Sequence, residues 1–302
     1  MNGILIIDKP EGLTSHDVVA RLRRILKTKK IGHTGTLDPF ATGVLVMLVG
    51  KATRLARFLD KDEKEYEAVL RFGFETDTGD RTGKRIGESR DFKLKKGDIG
   101  RVFPGFMGEI AQIPPMFSAK KVKGKKLYEL ARKGIEIERK PVNVKIYKLM
   151  LSESAIQKDS ENGTQDFSIR VSCSAGTYIR TLAEDIGKKI GVGCHVQELR
   201  RIRAGKFELS KALMLEELEE KIASETLGEH LISMNESVSH MPIKILDEDE
   251  LVLIKNGMKV SASFAGGGVE IVRLTDADEN LVAIGEYIKE SKEIQPRIVF
   301  LN

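Results

Sequence analysis

Residues 31–43 read Ile-Gly-His-Thr-Gly-Thr-Leu-Asp38-Pro39-Phe-Ala-Thr-Gly, and the rest of the chain is organised around this stretch. It holds one carboxylate, Asp38, among three glycines and three threonines. Glycine permits close backbone approach and positive φ, and Pro39 directs Asp38 away from the helical region into an extended conformation. The pattern predicts a constrained loop in which Asp38 is flanked by apolar residues. Such an acid is either a turn-former or a reactive group, because Asp-Pro is also a common turn dipeptide.

The segments on either side of this loop show strand and helix periodicity. Thr14 and Asp17 form a capping-box pattern ahead of a helix with an apolar stripe from Val18 to Leu26. Residues 77–88, rich in Gly, Asp and Arg, should form an exposed loop. The other predicted elements are strands at 3–7, 44–49 (or a core helix turn), 66–74, 142–151 and 167–173, and helices at 53–59, around 127–131, 179–190 and 213–223.

The character of the chain changes near residue 237 to short strands and turns. Predicted strands there are residues 251–254, 269–274, 281–288 and 297–301, with Gly266-Gly267-Gly268 as a turn. We therefore predict an α+β protein with two domains. Residues 1–236 should contain a central mixed or antiparallel sheet with flanking helices, and residues 237–302 a small β-barrel-like domain.

Composition excludes several classes of protein. Among the 302 residues no apolar run approaches the roughly 20 needed for a membrane helix, so we expect no membrane span. Two cysteines give no disulfide framework, which suits a reducing cytoplasm. The five histidines show no metal-ligand spacing, and we expect no metal. Gly43 to Gly50-Lys51 is not a phosphate-binding loop, because its glycines are too far apart and Ala52 replaces the required hydroxyl residue.

The net charge of +5 is unevenly distributed along the chain. Residues 118–148 hold eleven Lys and Arg against three Glu, a local charge of +8, so the remainder carries −3. A second cationic patch contains Arg200, Arg201, Arg203 and Lys206. Phe117, Tyr128 and Tyr147 interleave with the first segment, and bases can stack on such rings. This arrangement favours contact with a polyanion, although charged runs are more often solvated surfaces.

Five motifs follow one another along the chain. They are Lys9-Pro-x-Gly-x-Thr-Ser15; His33-Thr-Gly-Thr-Leu-Asp-Pro-x-Ala-Thr-Gly43; Lys64-x-Tyr66; Pro114-Pro-x-x-Ser-Ala119 leading into Gly124-x-x-x-Tyr128 and Ala131-Arg-x-Gly134; and Gly176-Thr-Tyr-Ile-Arg180. Together they resemble the motifs of the TruB family of bacterial tRNA pseudouridine synthases. The tail resembles a PUA domain more loosely. Its seven Lys and Arg against eleven Asp and Glu make it a weak electrostatic anchor for RNA.

The resemblance implies conversion of uridine 55, in the T loop of tRNA, to pseudouridine, with a flipped-out target base and no cofactor. Asp38 matches the family's catalytic aspartate, and attack at C1′, addition to C6 or proton removal at C2′ all remain open. Arg180 matches its ion-pair partner, Tyr66 the aromatic on which the base stacks, and Leu199 an apolar pocket wall. His33 is a candidate to occupy the space that the flipped nucleotide leaves, or else a turn histidine.

The resemblance also implies an RNA surface. Residues 118–148 match the family's mobile thumb, and we expect a tRNA partner through its T stem-loop, no obligate protein partner and a monomer. The candidate RNA-binding residues are Lys9, Lys64, Lys120, Lys121, Lys123, Lys125, Lys126, Arg132, Arg200 and Arg201.

Two other functions fit the same scaffold. One is a non-catalytic RNA-binding protein or tRNA chaperone, which the presence of Asp38, Tyr66 and Arg180 disfavours. The other is the archaeal or eukaryotic relative that works with guide RNA, which the absence of a long basic tail and the fused thumb segment disfavour.

The lysines of the thumb predict a salt effect on RNA binding. Each phosphate contact contributes about 0.9 to the slope of log affinity against log salt. Replacing Lys123, Lys125 and Lys126 with Ala should flatten that slope by about two to three for an isolated T stem-loop, titrated from low to high salt. Identical slopes in mutant and wild type would indicate an ordinary solvated run.

Overall fold

The computed structural model describes residues 1–87, 92–118, 120–122, 124–131, 133–152, 157–159, 163–264 and 270–301. Within this part of the chain, no helix combines the length and apolar character required to cross a bilayer.

The regular elements are named in chain order. The helices are α1 (Ser15–Ile25), α2 (Ala56–Leu59), α3 (Lys96–Val102), α4 (Leu127–Ala131), α5 (Ile179–Ile190), α6 (Glu217–Ala223), α7 (Met234–Ser237) and α8 (Glu248–Lys255). The strands are β1 (Gly3–Lys9), β2 (Ile31–Thr34), β3 (Thr42–Val49), β4 (Lys64–Phe72), β5 (Glu75–Thr76), β6 (Arg85–Ile86), β7 (Gly108–Gln112), β8 (Lys121–Val122), β9 (Lys125–Lys126), β10 (Val142–Leu151), β11 (Gln157–Asp159), β12 (Thr164–Cys173), β13 (Cys194–Ala204), β14 (Phe207–Glu208), β15 (Ile243–Ile245), β16 (Val260–Ser261), β17 (Ile271–Thr275), β18 (Leu281–Ile288) and β19 (Glu293–Val299).

A mixed sheet forms the centre of the molecule, with strand order β1-β3-β13-β4-β12-β10-β7. Every neighbouring pair along this path is antiparallel except β3 and β13, which run parallel and pair at only two positions, Thr42 with Arg200 and Gly43 with Arg201. The sheet therefore consists of two antiparallel parts joined by a short parallel seam. The α+β class with a central mixed sheet is confirmed.

Helix α5 covers one face of this sheet and encloses the main core. Alternate residues of β4, from Tyr66 to Phe72, are buried on that face and meet the apolar stripe of α5. Helix α1 begins where the capping box was predicted, because Thr14 accepts from the Asp17 amide and Asp17 accepts from the Thr14 amide. Local sequence signals and tertiary packing agree in this part of the chain.

The C-terminal residues form a second sheet of five strands, in the order β15-β17-β18-β19-β16. Its residues Ile284, Ile298 and Phe300 share a core with Ile4 and other residues of β1 and β3. Lys51 and Arg54 add hydrogen bonds to the Phe300 and Val299 carbonyls. The predicted domain boundary at residue 237 falls at the last residue of α7, and the division into two domains stays a prediction.

Three predicted elements differ from the structure. Residues 251–254 lie in α8 rather than in a strand, because Asp247 and Glu250 form a capping box that starts a helix. Residues 142–148 of the basic segment belong to β10 in the central sheet, so only 118–141 lie outside it. Strand β17 starts at Ile271, and the predicted Gly266–Gly268 turn lies outside the described residues.

Gly43 allows the parallel seam to form. Its φ is +99°, and an added Cβ would lie 2.2 Å from the Arg201 carbonyl oxygen and 2.8 Å from the Arg201 nitrogen. Only glycine permits both this conformation and this approach of two backbones.

Replacement of Gly43 should therefore destabilise the protein strongly. We expect Gly43→Ala to lower the free energy of unfolding by about 3 kcal/mol or more, since the backbone strain and the collision add together. Gly257→Ala is the matched control, because φ there is +74° but no atom lies within 4 Å of the added Cβ. Strain alone should cost the control about 1–2 kcal/mol. Urea unfolding followed by circular dichroism measures both, and equal losses would contradict the steric argument.

Candidate active site

The Asp38 loop connects β2 to β3. Residues at the end of β1 and at the start of α1 hold its backbone in place. The buried Ser15 hydroxyl contacts both backbone groups of Leu37, at 2.9 Å from the nitrogen and 3.1 Å from the oxygen. The Lys9 ammonium donates to the carbonyls of Leu13 (2.8 Å) and Pro39 (3.3 Å). The first sequence motif thus supports the second, and it fixes the backbone on both sides of Asp38.

Arg180, at the start of α5, is the ion-pair partner of Asp38. Its Nε lies 2.9 Å from the Asp38 Oδ2, and its side chain is 4% exposed while that of Asp38 is 33% exposed. The two terminal nitrogens donate to the carbonyls of Thr78 (2.8 Å) and Phe117 (2.6 Å). All three guanidinium nitrogens therefore have acceptors. The two terminal nitrogens are held by carbonyls, and Nε is the nitrogen that donates to Asp38.

A second carboxylate, Asp80, lies behind the arginine. Its Oδ2 is 3.5 Å from Arg180 Nη1, and its other oxygen accepts from Thr78 Oγ1 and the Thr82 amide, both at 2.9 Å. Asp80 lies in the stretch predicted from the sequence to be an exposed loop and was not predicted as a site residue, whereas its exposure is only 4%. The sequence Thr78-Gly79-Asp80-Arg81-Thr82 carried a signal for a hydrogen-bonded turn carboxylate. Neighbouring hydroxyls and turn amides commonly donate to an acid in such a sequence.

The surroundings of Asp38 perturb its acidity in opposing directions. Burial raises the pKa of Asp38 because it disfavours the charged form, and Arg180 opposes this effect through its charge and its hydrogen bond. Repulsion from Asp80 raises the pKa of Asp38 further. The acidity of the Asp38 carboxyl therefore depends on its burial and on the charges of Arg180 and Asp80.

Asp38, Arg180, Tyr66 and Leu199 line one pocket of about 270 Å³. This volume lies near the lower end of the range for small-ligand sites and would fit one nucleoside-sized group. Tyr66 is 8% exposed, and its hydroxyl is hydrogen-bonded to Arg201. The structure thus brings together the residues that the sequence assigned to the catalytic centre. Tyr178, which the sequence analysis did not single out, also lines this pocket.

Three of the predicted RNA-binding cations are buried, and their placement on the RNA surface is corrected. Lys9 is fully buried, Lys64 is 5% exposed and Arg201 is 1% exposed. Lys64 donates to the carbonyls of Asp60 and Asp62, and Arg201 donates to those of Val44 (2.7 Å) and Gly35 (2.8 Å). Burial lowers the pKa of Lys9 to about 8 and also lowers the pKa of Lys64. These side chains satisfy backbone carbonyls instead of facing solvent.

His33 lines an adjoining pocket of about 280 Å³ with Arg57, Asp60 and part of the Asp38 loop. Its ring meets that of His16 edge to face, with centroids 6.2 Å apart. Among the described residues the buried Nδ1 has no hydrogen-bond partner, and burial lowers the pKa of His33 to about 4. The imidazole is therefore neutral near pH 7 and offers an apolar ring with one free nitrogen.

The thumb residues lie beside the first pocket through Ser118, which lines it. β8 and β9 form a hairpin, and Lys125 is exposed while Lys120 is half-buried. Lys121 and Lys126 are strand residues of this hairpin, whereas Lys123 and Arg132 lie outside the described residues. Arg200, at the seam, pairs with Asp8 at 2.5 Å and keeps 38% of its side chain exposed. In the described part of the chain no three His, Cys, Asp or Glu side chains cluster as metal ligands would.

Comparison with known families identifies two matching regions. Residues 23–179 match the TruB family pseudouridylate synthase N-terminal domain. Residues 180–239 match the tRNA pseudouridylate synthase B C-terminal domain. The tRNA pseudouridine synthase B of Solibacter usitatus is 42% identical over 95% of this chain and 96% of its own length. That of Bacillus cereus is 40% identical over the whole of this chain and 98% of its own.

Two solved structures contain chains with a similar fold. A chain in the crystal structure of a Cbf5-Nop10-Gar1 complex is 27% identical, with a TM-score of 0.74 over 99% of this chain and 85% of that one. A chain in the structure of an H/ACA RNP bound to a substrate RNA containing 2′-deoxyuridine is 26% identical, with a TM-score of 0.72 and the same coverage.

The two charges beside Asp38 predict opposite shifts of its pKa. Arg180→Met should raise the pKa of Asp38 because an attractive cation is lost, and Asp80→Asn should lower it because a repulsive anion is lost. Titration of a ¹³C-labelled aspartate carboxyl by NMR measures both values against wild type. Shifts of the same sign in the two variants would mean that repacking, and not charge, controls the acidity of Asp38.

Proposed function

The chain belongs to the TruB family of pseudouridylate synthases, and we propose that it isomerises uridine 55 in the T loop of tRNA to pseudouridine. In this reaction the bond between C1′ and N1 breaks and a bond between C1′ and C5 forms. A proton leaves C5, and N1 gains one. The isomerisation consumes no redox equivalent and no phosphate, so the enzyme requires no cofactor.

The Asp38–Arg180 pair in a nucleoside-sized pocket carries this proposal. A carboxylate can act there as a nucleophile at C1′ or C6, or as a base at C2′. Arg180 keeps Asp38 available in its ionised form against the effect of burial, and it fixes the direction of the carboxylate. Asp80 and two backbone carbonyls hold Arg180 in turn, so the pair is positioned before substrate binds.

Substrate entry requires a nucleotide that has left its stack. A base in a folded loop cannot reach a pocket lined by buried residues, so the enzyme acts on a flipped nucleotide. Tyr66 stacks against the flipped base, and Leu199 forms an apolar wall. The neutral ring of His33, beside the adjoining pocket, fills the space that the nucleotide leaves. A cation there would bind phosphate instead of stacking, and the lowered pKa of His33 supports the stacking role.

RNA contact outside the pocket falls to cations of the thumb and of the seam. Lys120 and Lys125 of the thumb, with Lys121, Lys123, Lys126 and Arg132, contact the T stem-loop, and Arg200 contacts it near the seam. Residues 1–236 are the catalytic domain, and residues 237–302 are a PUA-like domain with a secondary part in binding because of their acidic balance. The enzyme works as a monomer without a protein partner.

A guide-RNA-dependent enzyme is the competing function, since Cbf5 complexes share the fold. The relatives named tRNA pseudouridine synthase B are 40–42% identical and match almost their whole length. The Cbf5 chain is 27% identical and is covered over 85% of its length. The closer identity and the matched length favour the enzyme that acts without a guide.

Loss of the Asp38 carboxylate should abolish turnover and preserve tRNA binding. We expect Asp38→Asn to form pseudouridine at less than about one per cent of the wild-type rate, because the amide keeps the shape but is neither nucleophile nor base. Unmodified tRNA transcript is incubated with each protein, and pseudouridine is mapped by chemical-adduct stops in reverse transcription. Asp278→Asn, the same change at an exposed position, is the control. No stop at position 55 with wild-type protein would refute the proposed function, and Asp38→Asn activity above about one per cent of wild type would refute the assigned residue.

A further inference from the structure

A second cluster of positive charge lies in the chain segment that precedes β2 and the Asp38 loop. Residues 20–30 contain six Lys and Arg and no acid. Two of these, Arg21 and Arg23, have partners in Glu216 and the Ile31 carbonyl. The remaining four are exposed, as is Arg57 of α2, which packs beside β2. The α1 basic surface is defined here as Arg24, Lys27, Lys29, Lys30 and Arg57.

This surface leads directly to the candidate active site. Strand β2 connects Lys30 to Gly35, which lines both pockets, over about 16 Å of extended chain. Arg57 itself lines the pocket that contains His33. The cations of this surface therefore lie next to the side of the site formed by the Asp38 loop. The thumb lies next to the side that contains Ser118.

Intramolecular electrostatics do not explain all of these charges. In the described part of the chain, none of the five has an Asp or Glu oxygen within 4.0 Å. Basic residues in the last turn of a helix interact favourably with its dipole, which accounts for Arg23 and Arg24. Lys29, Lys30 and Arg57 lie beyond that turn. Arg57 packs over the Phe58 ring at 4.8 Å, but among the described residues no carboxylate oxygen lies within 4.0 Å of these three cations.

Lys27 adds an independent observation, because it follows the C-cap of α1 with φ = +48°. Glycine is the usual residue at this position, since a side chain in the left-handed region is strained. The Lys27 side chain is exposed, so no packing of this side chain against the protein offsets the backbone strain.

We propose that the α1 basic surface binds phosphates of the same tRNA whose target nucleotide enters the pocket. The inference rests on the proposed function and adds a second electrostatic contact, separate from the thumb. A row of unpaired cations next to a nucleotide-sized pocket fits a nucleic-acid backbone, whose charges continue beyond the bound base. The substrate would thus be held at both borders of the site while one nucleotide is turned out.

The experiment compares two double variants with the same change in charge. Lys29→Ala combined with Lys30→Ala removes two exposed cations from the surface, and Lys188→Ala combined with Lys189→Ala removes two from the end of α5. Fluorescence anisotropy gives the affinity for unmodified tRNA transcript at several salt concentrations. The first variant should flatten the slope of log affinity against log salt by about 1.4 to 1.8, and the control should leave it unchanged.

Two further measurements make the outcome decisive. Lys27→Gly should keep or raise Tm because the strain is relieved, yet it should flatten the salt slope by about 0.7 to 0.9. Equal slopes in both double variants, or a Lys27→Gly protein with lower Tm and unchanged binding, would overturn the inference. Wild-type pseudouridine formation on the same transcript is measured in parallel. Its absence would refute the proposed function, whereas its presence with unaltered slopes would refute the α1 basic surface alone.

Discussion

The ion pair between Asp38 and Arg180 is the constraint on which the rest of the structure depends. One arginine at the start of α5 joins the Asp38 loop, the Thr78–Asp80 turn and the Phe117 carbonyl. Removing one of the acids leaves the buried Arg180 guanidinium with less compensation for its charge, which destabilises this arrangement. Each of the three segments therefore stabilises the positions of the other two. Displacing any one of them leaves Arg180 or an acid without a hydrogen-bond or ion-pair partner.

The lysines and arginines have two different roles, and the amino-acid composition does not show which residue has which role. Lys9, Lys64 and Arg201 lie inside the protein and donate hydrogen bonds to backbone carbonyl oxygens near the pocket. The α1 basic surface, by contrast, holds exposed cations with no carboxylate oxygen within 4.0 Å among the described residues. The first group fixes the backbone around the pocket, and the second is free for a polyanion. Spacing along the sequence does not distinguish the two, because both consist of lysine and arginine next to glycine-rich loops.

The elements that could be predicted were those with clean local signals. Alternating apolar residues gave β4, and the Thr14–Asp17 pair gave the start of α1, because each depends on neighbours in sequence. Strand β13 was missed because it mixes arginines with apolar residues and carries two bulges that break the alternation. Asp80 was missed for a different reason. Its burial follows from contact with Arg180, a hundred residues away, and no local pattern reports such a partner. The Asp38, Arg180, Tyr66 and Leu199 grouping came from family motifs and not from periodicity.

The parallel seam has a consequence for how the site comes into being. Asp38 belongs to the part of the sheet that contains β1, β2 and β3, whereas Tyr66, Leu199 and Arg180 belong to the part built from β4, β13 and α5. The backbones of the two parts pair at only two positions, although both parts contribute side chains to one core. Neither part contains a competent centre, so a half-assembled chain emerging during synthesis has no activity. By linkage, any substrate whose binding requires residues of both parts stabilises the joined state over every state in which the parts have separated. Substrate binding and folding are therefore coupled, and catalytic competence requires completed folding.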